Sequence, residues 1–407
     1  MVRILLVILT ILSFALVAHA ADWPQFLGPN RNGTSPETGL LREWPKDGPP
    51  KLWEHAAGSG WAGPVAASGK VILFHRVGDE EIVECLNAAD GKQKWRFASS
   101  TAYVDRFGFD DGPRATPCIA GNNLYTLGAE GRMICLDFDS GKKVWEKDLA
   151  GEYKPRPNFF GVGTSPLVEG DRIFVNVGAK GAGIVALDRK TGKELWKATD
   201  DEASYSSPTL ATIGGKKQLV FFTREGLKVL DPENGSVKHQ LPWRSRNPNS
   251  VNAAAPVVSD DHIFLSACYE TGAILLQVSD GGLKDIWTND ESLSNHYNTS
   301  ILYKGNLFGI HGRQEYGTAL RCVEWKTGKV LWSKEHFGCA SLILADDLLI
   351  ATVETGEIVL IEPNLKEYVE KGRFQALDKQ VRATSALADG VLFVRDGKKL
   401  AACKVKK

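Results

Sequence analysis

The chain has 407 residues, with 49 Lys and Arg, 49 Asp and Glu, and a formal net charge of +0 at pH 7. Hydrophobic residues make up 43% of it, which is enough for a large core and excludes a disordered or collagen-like chain. The balanced charge removes the general attraction on which non-specific nucleic-acid binding depends. We therefore expect a globular protein that does not bind nucleic acid.

The N-terminal segment is typical of an export signal. Arg3 precedes an apolar run over residues 4–18, and Ala18 and Ala20 provide the small residues of a signal-peptidase site. The run is shorter than a membrane span, and no cysteine follows the site to carry a lipid anchor. We assign residues 1–20 to a cleaved signal peptide. The mature protein is then expected to be periplasmic or secreted, with no transmembrane segment.

The cysteines are scattered along the chain without a CxxC or CxxCH motif. This pattern predicts neither a metal site nor a haem attachment nor a redox-active dithiol. Their odd number leaves at least one outside any intramolecular bridge, and their pairing stays open. They are expected to act as small buried apolar side chains. They are Cys85, Cys118, Cys135, Cys268, Cys322, Cys339 and Cys403.

A repeat of about 45 residues runs through the rest of the chain. Its clearest copy has Asp188, then Gly192 four residues later and Trp196 after another four. Asp hydrogen-bonds the backbone of a turn, and Gly accepts the positive φ that such a turn needs. The tryptophan that follows is expected to have a structural role, with its indole docked between neighbouring units. Burying such a side chain removes roughly 150–250 Å² of its surface from water. The docking tryptophans are Trp53, Trp95, Trp145, Trp196, Trp287 and Trp332.

Each copy follows a short stretch of small or polar residues and then runs of alternating apolar residues. Four short antiparallel strands per unit, repeated along the chain, are typical of an all-β propeller. Eight such units begin before the chain ends, and the last has room for only three strands. The sequence around Trp53 resembles a fourth strand, so we expect it to close an eight-bladed ring formed by residues 51–407, with 21–50 as a lead-in segment. A seven-bladed ring is the alternative, if residues 342–374 form no separate blade.

The string from Ala186 to Trp196 is similar to the tryptophan-docking motif of the quinoprotein, or pyrroloquinoline quinone (PQQ)-like, propeller family. The repeats cover most of the mature chain. Non-enzymatic members of this family include the propeller subunit of outer-membrane β-barrel assembly. The lead-in from Asp22 to Gly33 also resembles the start of exported PQQ-like repeat proteins of planctomycete-type bacteria. The resemblance implies a propeller, but a fold does not by itself assign a function.

The enzymatic branch of the family implies features that this chain lacks. Its dehydrogenases are longer, have an adjacent pair of cysteines at the cofactor, and hold Ca²⁺ beneath PQQ through Glu, Asn and Asp. This chain has no adjacent cysteines, and its oxygen-bearing residues form no recognisable set of that kind. We therefore predict no catalytic residue, no metal site and no cofactor, with PQQ and Ca²⁺ as the alternative.

Candidate binding residues concentrate in the segments between blades and in turns expected on the same face. These segments combine aromatic side chains with both signs of charge, and loops commonly carry binding residues. The opposite interpretation is that the charges pair among themselves, for instance Asp105 with Arg106 or Arg114. The candidates for a partner or ligand face are Asp105, Arg106, Asp110, Arg114, Arg156, Arg244, Arg246, His296, Asn298, Arg313 and Arg382.

The leading hypothesis is an exported, non-catalytic propeller that binds a protein or peptide partner through this face and acts as a scaffold. Aromatic residues and arginine dominate the energetics of protein interfaces. A PQQ-dependent oxidoreductase and a carbohydrate- or polymer-binding module are the alternatives, and enzymatic activity is left open. We expect a monomer.

Overall fold

The computed structural model describes residues 21–156, 159–378 and 380–407. The predicted signal peptide, residues 1–20, lies outside this range. The described chain is almost entirely β-structure, with one short helix, α1 (Leu149–Tyr153), whose first turn is capped by Asp148. No helix of the described part is long and apolar enough to cross a membrane.

Two strands precede blade 1 in the chain, β1 (Thr34–Ser35) and β2 (Lys51–Ala56). Blade 1 comprises β3 (Val65–Ala67), β4 (Lys70–Val77), β5 (Glu80–Asn87) and β6 (Gln93–Ser100). Blade 2 comprises β7 (Cys118–Ala120), β8 (Asn123–Leu127), β9 (Arg132–Asp137) and β10 (Lys143–Asp148). Blade 3 comprises β11 (Leu167–Glu169), β12 (Arg172–Ala179), β13 (Ala182–Asp188) and β14 (Glu194–Ala198). Blade 4 comprises β15 (Thr209–Ile213), β16 (Lys216–Phe222), β17 (Gly226–Leu230) and β18 (Val237–Pro242).

The second half of the ring continues the pattern. Blade 5 comprises β19 (Val257–Ser259), β20 (His262–Ala267), β21 (Gly272–Ser279) and β22 (Gly282–Asn289). Blade 6 comprises β23 (Ile301–Tyr303), β24 (Asn306–Arg313), β25 (Gly317–Glu324) and β26 (Val330–Glu335). Blade 7 comprises β27 (Ala340–Ala345), β28 (Leu348–Val353), β29 (Glu357–Glu362) and β30 (Val369–Gln375). Blade 8 comprises β31 (Ala386–Ala388), β32 (Val391–Arg395), β33 (Lys399–Lys404) and the early strand β2.

Eight separate sheets therefore form an eight-bladed propeller, as the sequence predicts, and within each blade the four strands run antiparallel in order. The first strands of neighbouring blades contact one another, as β3 does with both β7 and β31, so these strands surround the central channel. The seven-bladed alternative is wrong, because residues 340–375 form a complete sheet of their own.

The strand β2 closes the ring as the outermost strand of blade 8. Trp53 of β2 lies opposite Ala402 of β33, so the start and the end of the propeller share one sheet. The closing strand also contacts blade 1, where Nε2 of His55 lies 3.0 Å from a carboxylate oxygen of Glu84. A ring closed in this way leaves no free edge at the chain ends.

The six repeat tryptophans make the same contact at six boundaries between blades. Each indole N–H donates to a backbone carbonyl in the turn of the following blade, at 2.8–3.1 Å. The accepting carbonyls belong to Ala88, Phe138, Arg189, Pro232, Trp325 and Asn364. Each indole thus buries its apolar surface while its N–H is hydrogen-bonded, as a buried indole requires.

The turn that receives each ring is shaped by the Asp and Gly of the repeat. In blade 3, Oδ1 of Asp188 accepts hydrogen bonds from the backbone N–H of Lys190 (3.1 Å) and of Thr191 (2.8 Å). Gly192 has φ of +70°, and a Cβ built on it would lie 2.8 Å from the ring of Trp145. Glycine is needed there both for its backbone conformation and for the space that the ring occupies.

Two boundaries lack a repeat tryptophan and are packed differently. After blade 4, where His239 stands in the tryptophan position, Trp243 packs against Phe222 with ring centroids 5.6 Å apart. At blade 7, Trp44 of the lead-in segment packs edge-on against Phe374 at 5.5 Å. Aromatic side chains from outside the repeat position therefore pack against blades 4 and 7, which lack the repeat tryptophan.

Small polar residues before the first strands join neighbouring blades near the channel. The backbone N–H of Thr116 donates to Oγ of Ser165 (2.9 Å), and that of Ser165 donates to Oγ of Ser207 (2.9 Å). The same bond joins Gly63 to Thr116 (3.1 Å). A side-chain hydroxyl of one blade thus satisfies a backbone group of the blade before it, so this stretch of the repeat has a structural role.

The lead-in segment, residues 21–50, fills the channel from the end opposite the inter-blade loops. Trp23 is buried and pairs with Ala66 of β3, and β1 runs parallel to the innermost strand of blade 7. The carbonyl of Pro24 accepts from the N–H of Ile119 in blade 2 (2.8 Å). The segment therefore contacts several innermost strands at once and blocks the channel.

Arg31 is the buried anchor of this segment. Its Nε donates to the carbonyl of Pro208 (3.0 Å), and its terminal nitrogens donate to the carbonyls of Pro166 (3.1 Å) and Ser165 (3.3 Å). Burial lowers the pKa of Arg31 to about 10. One guanidinium thus connects the lead-in segment to blades 3 and 4 without a carboxylate.

All seven cysteines lie in the described chain, and all are buried and free of disulfide bonds. Burial raises the pKa of Cys118 to about 11, which keeps its thiol protonated and unreactive at neutral pH.

We expect Gly192→Ala to destabilise the protein more than Gly170→Ala. Both glycines have positive φ, +70° and +57°, so both variants carry a backbone penalty. Only Gly192 has a neighbouring ring within 4 Å of the added methyl group. The free energy of unfolding from urea titration should fall by about 1–3 kcal/mol more for Gly192→Ala. Equal losses in the two variants would show that the tryptophan dock is not tightly packed.

We expect Arg31→Met to lower the free energy of unfolding by about 2–4 kcal/mol, because it leaves several buried carbonyls without a donor. Arg42→Met is the matched control in the same segment. Arg42 is half exposed and pairs with Asp346 at 2.8 Å, so its removal should cost less than about 1 kcal/mol. Denaturant titration of both variants checks this, and similar losses would contradict an anchoring role for Arg31.

Candidate functional site

A cavity of about 530 Å³ opens at the loop end of the channel. Its walls come from the inter-blade segments and from the starts of the innermost strands, and Phe26 and Leu27 of the lead-in segment close its bottom. Because the lead-in segment blocks the channel, this mouth cavity is open on the loop side only. The predicted binding face and the mouth cavity therefore coincide.

The segment between blades 1 and 2 forms one wall and is held by a buried ion pair. Nη2 of Arg114 donates to Oδ2 of Asp105 (3.1 Å), with both side chains nearly inaccessible. The carboxylate of Asp105 also accepts from the backbone N–H of Phe107 (3.0 Å) and of Phe109 (3.2 Å). Asp105 and Arg114 therefore pair with each other within the loop, as the alternative interpretation of self-paired charges predicts. Asp105 is not exposed at the mouth of the cavity, and this corrects its assignment to a partner face.

Four phenylalanines form a cluster at this side of the mouth. Phe107 lies 5.3 Å from Phe160 and 6.2 Å from Phe159, and Phe109 lies 5.9 Å from Phe160, between ring centroids. Phe107 and Phe109 are each more than half exposed, so the cluster reaches from the cavity to the outer rim. Rings held by one another in this way form a preformed apolar surface.

On the opposite wall, both ring nitrogens of His296 have partners. Nε2 lies 3.0 Å from the hydroxyl of Tyr269, and Nδ1 lies 2.9 Å from Oε1 of Gln314. Burial, which outweighs the hydrogen bond to Oε1 of Gln314, lowers the pKa of His296 to about 4, and Arg313 adds to this effect. His296 is therefore a neutral, structurally held residue of the wall at neutral pH.

Two arginines face the mouth cavity beside His296. Cζ of Arg313 lies 4.2 Å from the ring centroid of Tyr269, and its Nε lies 3.3 Å from a carboxylate oxygen of Glu315. Cζ of Arg382 lies 4.6 Å from the ring centroid of Trp61. Asn298, another predicted residue, also lines the cavity.

The remaining predicted residues lie away from the cavity lining. Asp110 accepts from the backbone N–H of Gly60 (3.0 Å) and of Gly112 (2.7 Å), which stabilises the loop. Arg156 is exposed and pairs with Glu202 at 2.6 Å. Arg106, Arg244 and Arg246 are exposed. The structure thus brings Arg114, His296, Asn298, Arg313 and Arg382 together at the cavity and leaves the others on the surrounding surface or inside a loop.

Several lining residues were not predicted from the sequence. Tyr205 stands directly before a blade start, and its hydroxyl accepts from the backbone N–H of Phe160 (2.7 Å). Trp61 occupies the equivalent place before blade 1, and Tyr269 lies in a turn of blade 5. The signal that locates the first two is their position one or two residues before the small polar stretch. Phe26 and Leu27 carry no such signal, because nothing in the sequence places the lead-in segment in the channel.

The mouth cavity does not fit the Ca²⁺-PQQ site that the enzymatic branch implies. Among the described residues that line it, Glu315 is the one carboxylate, and it pairs with Arg313. Ca²⁺ takes six to eight oxygen ligands, commonly including several carboxylates. Nowhere in the described chain do three or more His, Cys, Asp or Glu side chains form a group suited to a metal ion.

The ring of eight docked blades, with its loop-lined mouth, defines a PQQ-like propeller. The family described as outer membrane protein assembly factor BamB matches residues 79–334, more than half of the chain. The chain belongs to this family.

Relatives come from both branches of the fold. An outer membrane protein assembly factor BamB from Kangiella koreensis is 28% identical over 204 residues, which cover 50% of this chain and 45% of that protein. The quinoprotein alcohol dehydrogenase PedH from Pseudomonas putida is 24% identical over 188 residues, 44% of this chain and 30% of that enzyme. The chain thus spans less than half of either relative. The crystal structure of BamB from Moraxella catarrhalis superposes with a TM-score of 0.64 at 15% identity, covering 88% of this chain and 98% of that one, which shows the shared fold.

We expect His296 to stay neutral far below the usual histidine range. Its pKa is about 4 in the folded protein against 6.5 for the free side chain. Between these values the unfolded chain binds a proton that the folded chain does not, so the free energy of unfolding falls as the pH drops through this window. The contribution at pH 5 is about 1–2 kcal/mol. The ring resonances of His296 in NMR spectra should titrate near pH 4, and a midpoint near 6.5 would contradict the buried, hydrogen-bonded ring.

Urea titrations at pH 7 and pH 5 provide a second measurement. His296→Gln removes the titrating group, so this variant should lose less stability than the wild type between the two pH values. A loss equal to that of the wild type would assign the pH dependence to other groups.

Proposed function

We propose that the protein is an exported, non-catalytic scaffold that binds a protein partner through the rim of its mouth cavity and serves the assembly of outer-membrane proteins. Its family and its relative from Kangiella koreensis are named for that assembly role. The proposal places the protein in the periplasm as a monomer whose signal peptide is removed. It requires neither a cofactor nor a metal ion.

The observation that carries this proposal is the distribution of exposed apolar side chains. In the described chain, the large apolar residues that are more than half exposed are Val77, Val104, Phe107, Phe109 and Tyr316. Val104, Phe107 and Phe109 lie between blades 1 and 2, Val77 ends the second strand of blade 1, and Tyr316 lies in the turn between the second and third strands of blade 6, so all five are on one face. The less exposed apolar residues of the outermost strands are Leu52, Val144, Leu195, Val237 and Ile286. Exposed apolar groups gathered on one face of a protein mark an interaction surface. Exposed aromatic residues beside arginines are also the composition of interface hot spots.

The quinoprotein alternative is favoured only by the names of relatives such as PedH. The lining of the mouth cavity argues against it, since Glu315 alone supplies a carboxylate there and already pairs with Arg313. The scaffold function needs only the exposed rim and the rigid ring that carries it.

We expect a photo-cross-linker in place of Phe109 to capture a partner in the periplasm of living cells. Phe107→Ser in the same chain should reduce the yield of that cross-link several-fold, because it removes a ring of the exposed cluster. The product is measured by mass spectrometry, which identifies the captured protein. A component of the outer-membrane assembly machinery is the expected identity.

The matched control places the cross-linker at Lys46, an exposed residue of the lead-in segment, and should yield no such product. Equal capture from both positions would contradict a partner-binding rim. If Phe107→Ser does not change the capture from Phe109, the aromatic cluster is not part of the interface.

A further inference from the structure

Arg382 differs from the other arginines of the mouth cavity because it has no carboxylate partner. In the described part of the chain, Arg382 forms neither an ion pair nor a hydrogen bond, whereas Arg114 bonds to Asp105 and Arg313 pairs with Glu315. Arg382 is nevertheless partly buried. Its charge is therefore unpaired within the described chain, and a bound anion would supply an ion-pair partner.

The aromatic rings around Arg382 restrict where such an anion can approach. Its Cζ lies 4.6 Å from the ring centroid of Trp61, 5.5 Å from that of Phe109 and 5.6 Å from that of Tyr297. Rings favour the flat faces of a guanidinium and leave its N–H edge for a hydrogen-bonding partner. A planar carboxylate matches that edge through two parallel hydrogen bonds.

The nearby carboxylates of the protein are already engaged elsewhere. Glu354 and Asp396 line a second cavity that Arg382 also borders. Glu354 accepts from the backbone N–H of Cys339 (3.2 Å). Asp396 accepts from the backbone N–H of Asp378 (2.9 Å) and of Lys398 (2.7 Å). These groups hold loops, and neither of them forms an ion pair with Arg382 in the described chain.

The remainder of the mouth cavity fits an apolar group next to that carboxylate. Phe109 of the phenylalanine cluster lies next to Arg382. It also contacts Phe160, which in turn contacts Phe107. The amide side chains of Asn247 and Asn249 also line the cavity and can bond the backbone of a bound segment. A neutral carbohydrate would stack on the rings and offer hydroxyl acceptors, but it carries no negative charge to pair with the guanidinium.

We propose that the mouth cavity binds an acidic peptide segment of the partner protein, with a carboxylate on Arg382 and a neighbouring aromatic side chain on the phenylalanine cluster. This inference rests on the proposed scaffold function and adds the chemistry of the segment that is bound. A peptide is favoured over a free metabolite because the apolar surface continues from the cavity onto the exposed rim at Phe107 and Phe109.

The test uses two capped pentapeptides, one with phenylalanine between two glutamates and one with glutamines in place of both glutamates. Isothermal titration calorimetry with the mature protein should show binding of the glutamate peptide that is about tenfold or more tighter than that of the glutamine peptide. The small carboxylate 3-phenylpropionate should bind more weakly than the glutamate peptide, because it has no backbone for the amide side chains. Equal affinity for the two peptides, or an equal affinity for 3-phenylpropionate, would overturn the proposal.

Arg382→Gln should abolish the preference for glutamate while leaving the melting temperature close to that of the wild type. Arg96→Gln is the matched control, since Arg96 is an exposed arginine on the outermost strand of blade 1 that does not line the cavity. It should keep the full preference. An Arg382→Gln variant that still discriminates between the peptides would overturn the proposal.

If Arg382→Gln does not fold, Arg382→Lys is measured in its place. It keeps the charge but loses the paired hydrogen bonds, so the preference should fall, and an unchanged preference would count against the site. Cross-linking from Phe109 separates this inference from the scaffold function. If a partner is captured at Phe109 but the protein does not discriminate between the peptides, only the acidic-peptide inference is contradicted. If no partner is captured at all, the proposed scaffold function itself is contradicted.

Discussion

The contact between a tryptophan of one blade and the turn of the next is the interaction on which the rest of the structure depends. A four-stranded blade cannot bury both of its faces alone, and a flat ring seated on a glycine turn brings the next blade within packing distance. The dock also satisfies the indole N–H, as in the bond from Trp145 to the carbonyl of Arg189. Because the contact is the same at six boundaries, most neighbouring blades are joined in the same way around the ring.

Closure of the ring creates a channel, and the lead-in segment determines what that channel becomes. Without residues 21–50 the channel would be open at both ends. Trp23 and Arg31 fix the segment to the innermost strands, so the channel is closed on that side and the mouth cavity faces the loops. Phe26 and Leu27 at its bottom are apolar, which suits a site for an apolar group better than a water-filled pore. The segment thus contributes both to stability and to the shape of the candidate site.

The charged residues of the loop face fall into two groups with different roles. Asp105 and Arg114 are buried and hold a loop in the conformation that presents Phe107 and Phe109. Arg382 is surrounded by rings and has no acceptor in the described chain. The first group is structural and the second is available to a ligand. A rigid ring that presents aromatic side chains and an unpaired guanidinium supports the proposed recognition of a protein segment.

The sequence by itself determined the local and periodic features of this protein. The spacing of Asp, Gly and Trp specified the turns and docks because these contacts depend on residues only a few positions apart, and the count of repeats predicted eight blades with Trp53 on the closing strand. The same reasoning located the loop face and five of the residues that line its cavity.

Only the tertiary structure decided which charges are free, because pairing depends on distances across loops that no spacing encodes. Asp110 and Asp105 were indistinguishable from binding residues in the sequence, yet both are held by backbone N–H groups. The position of the lead-in segment was likewise decided by packing. Trp23 and Arg31 find their partners on strands far along the chain, which come together only when the ring has closed.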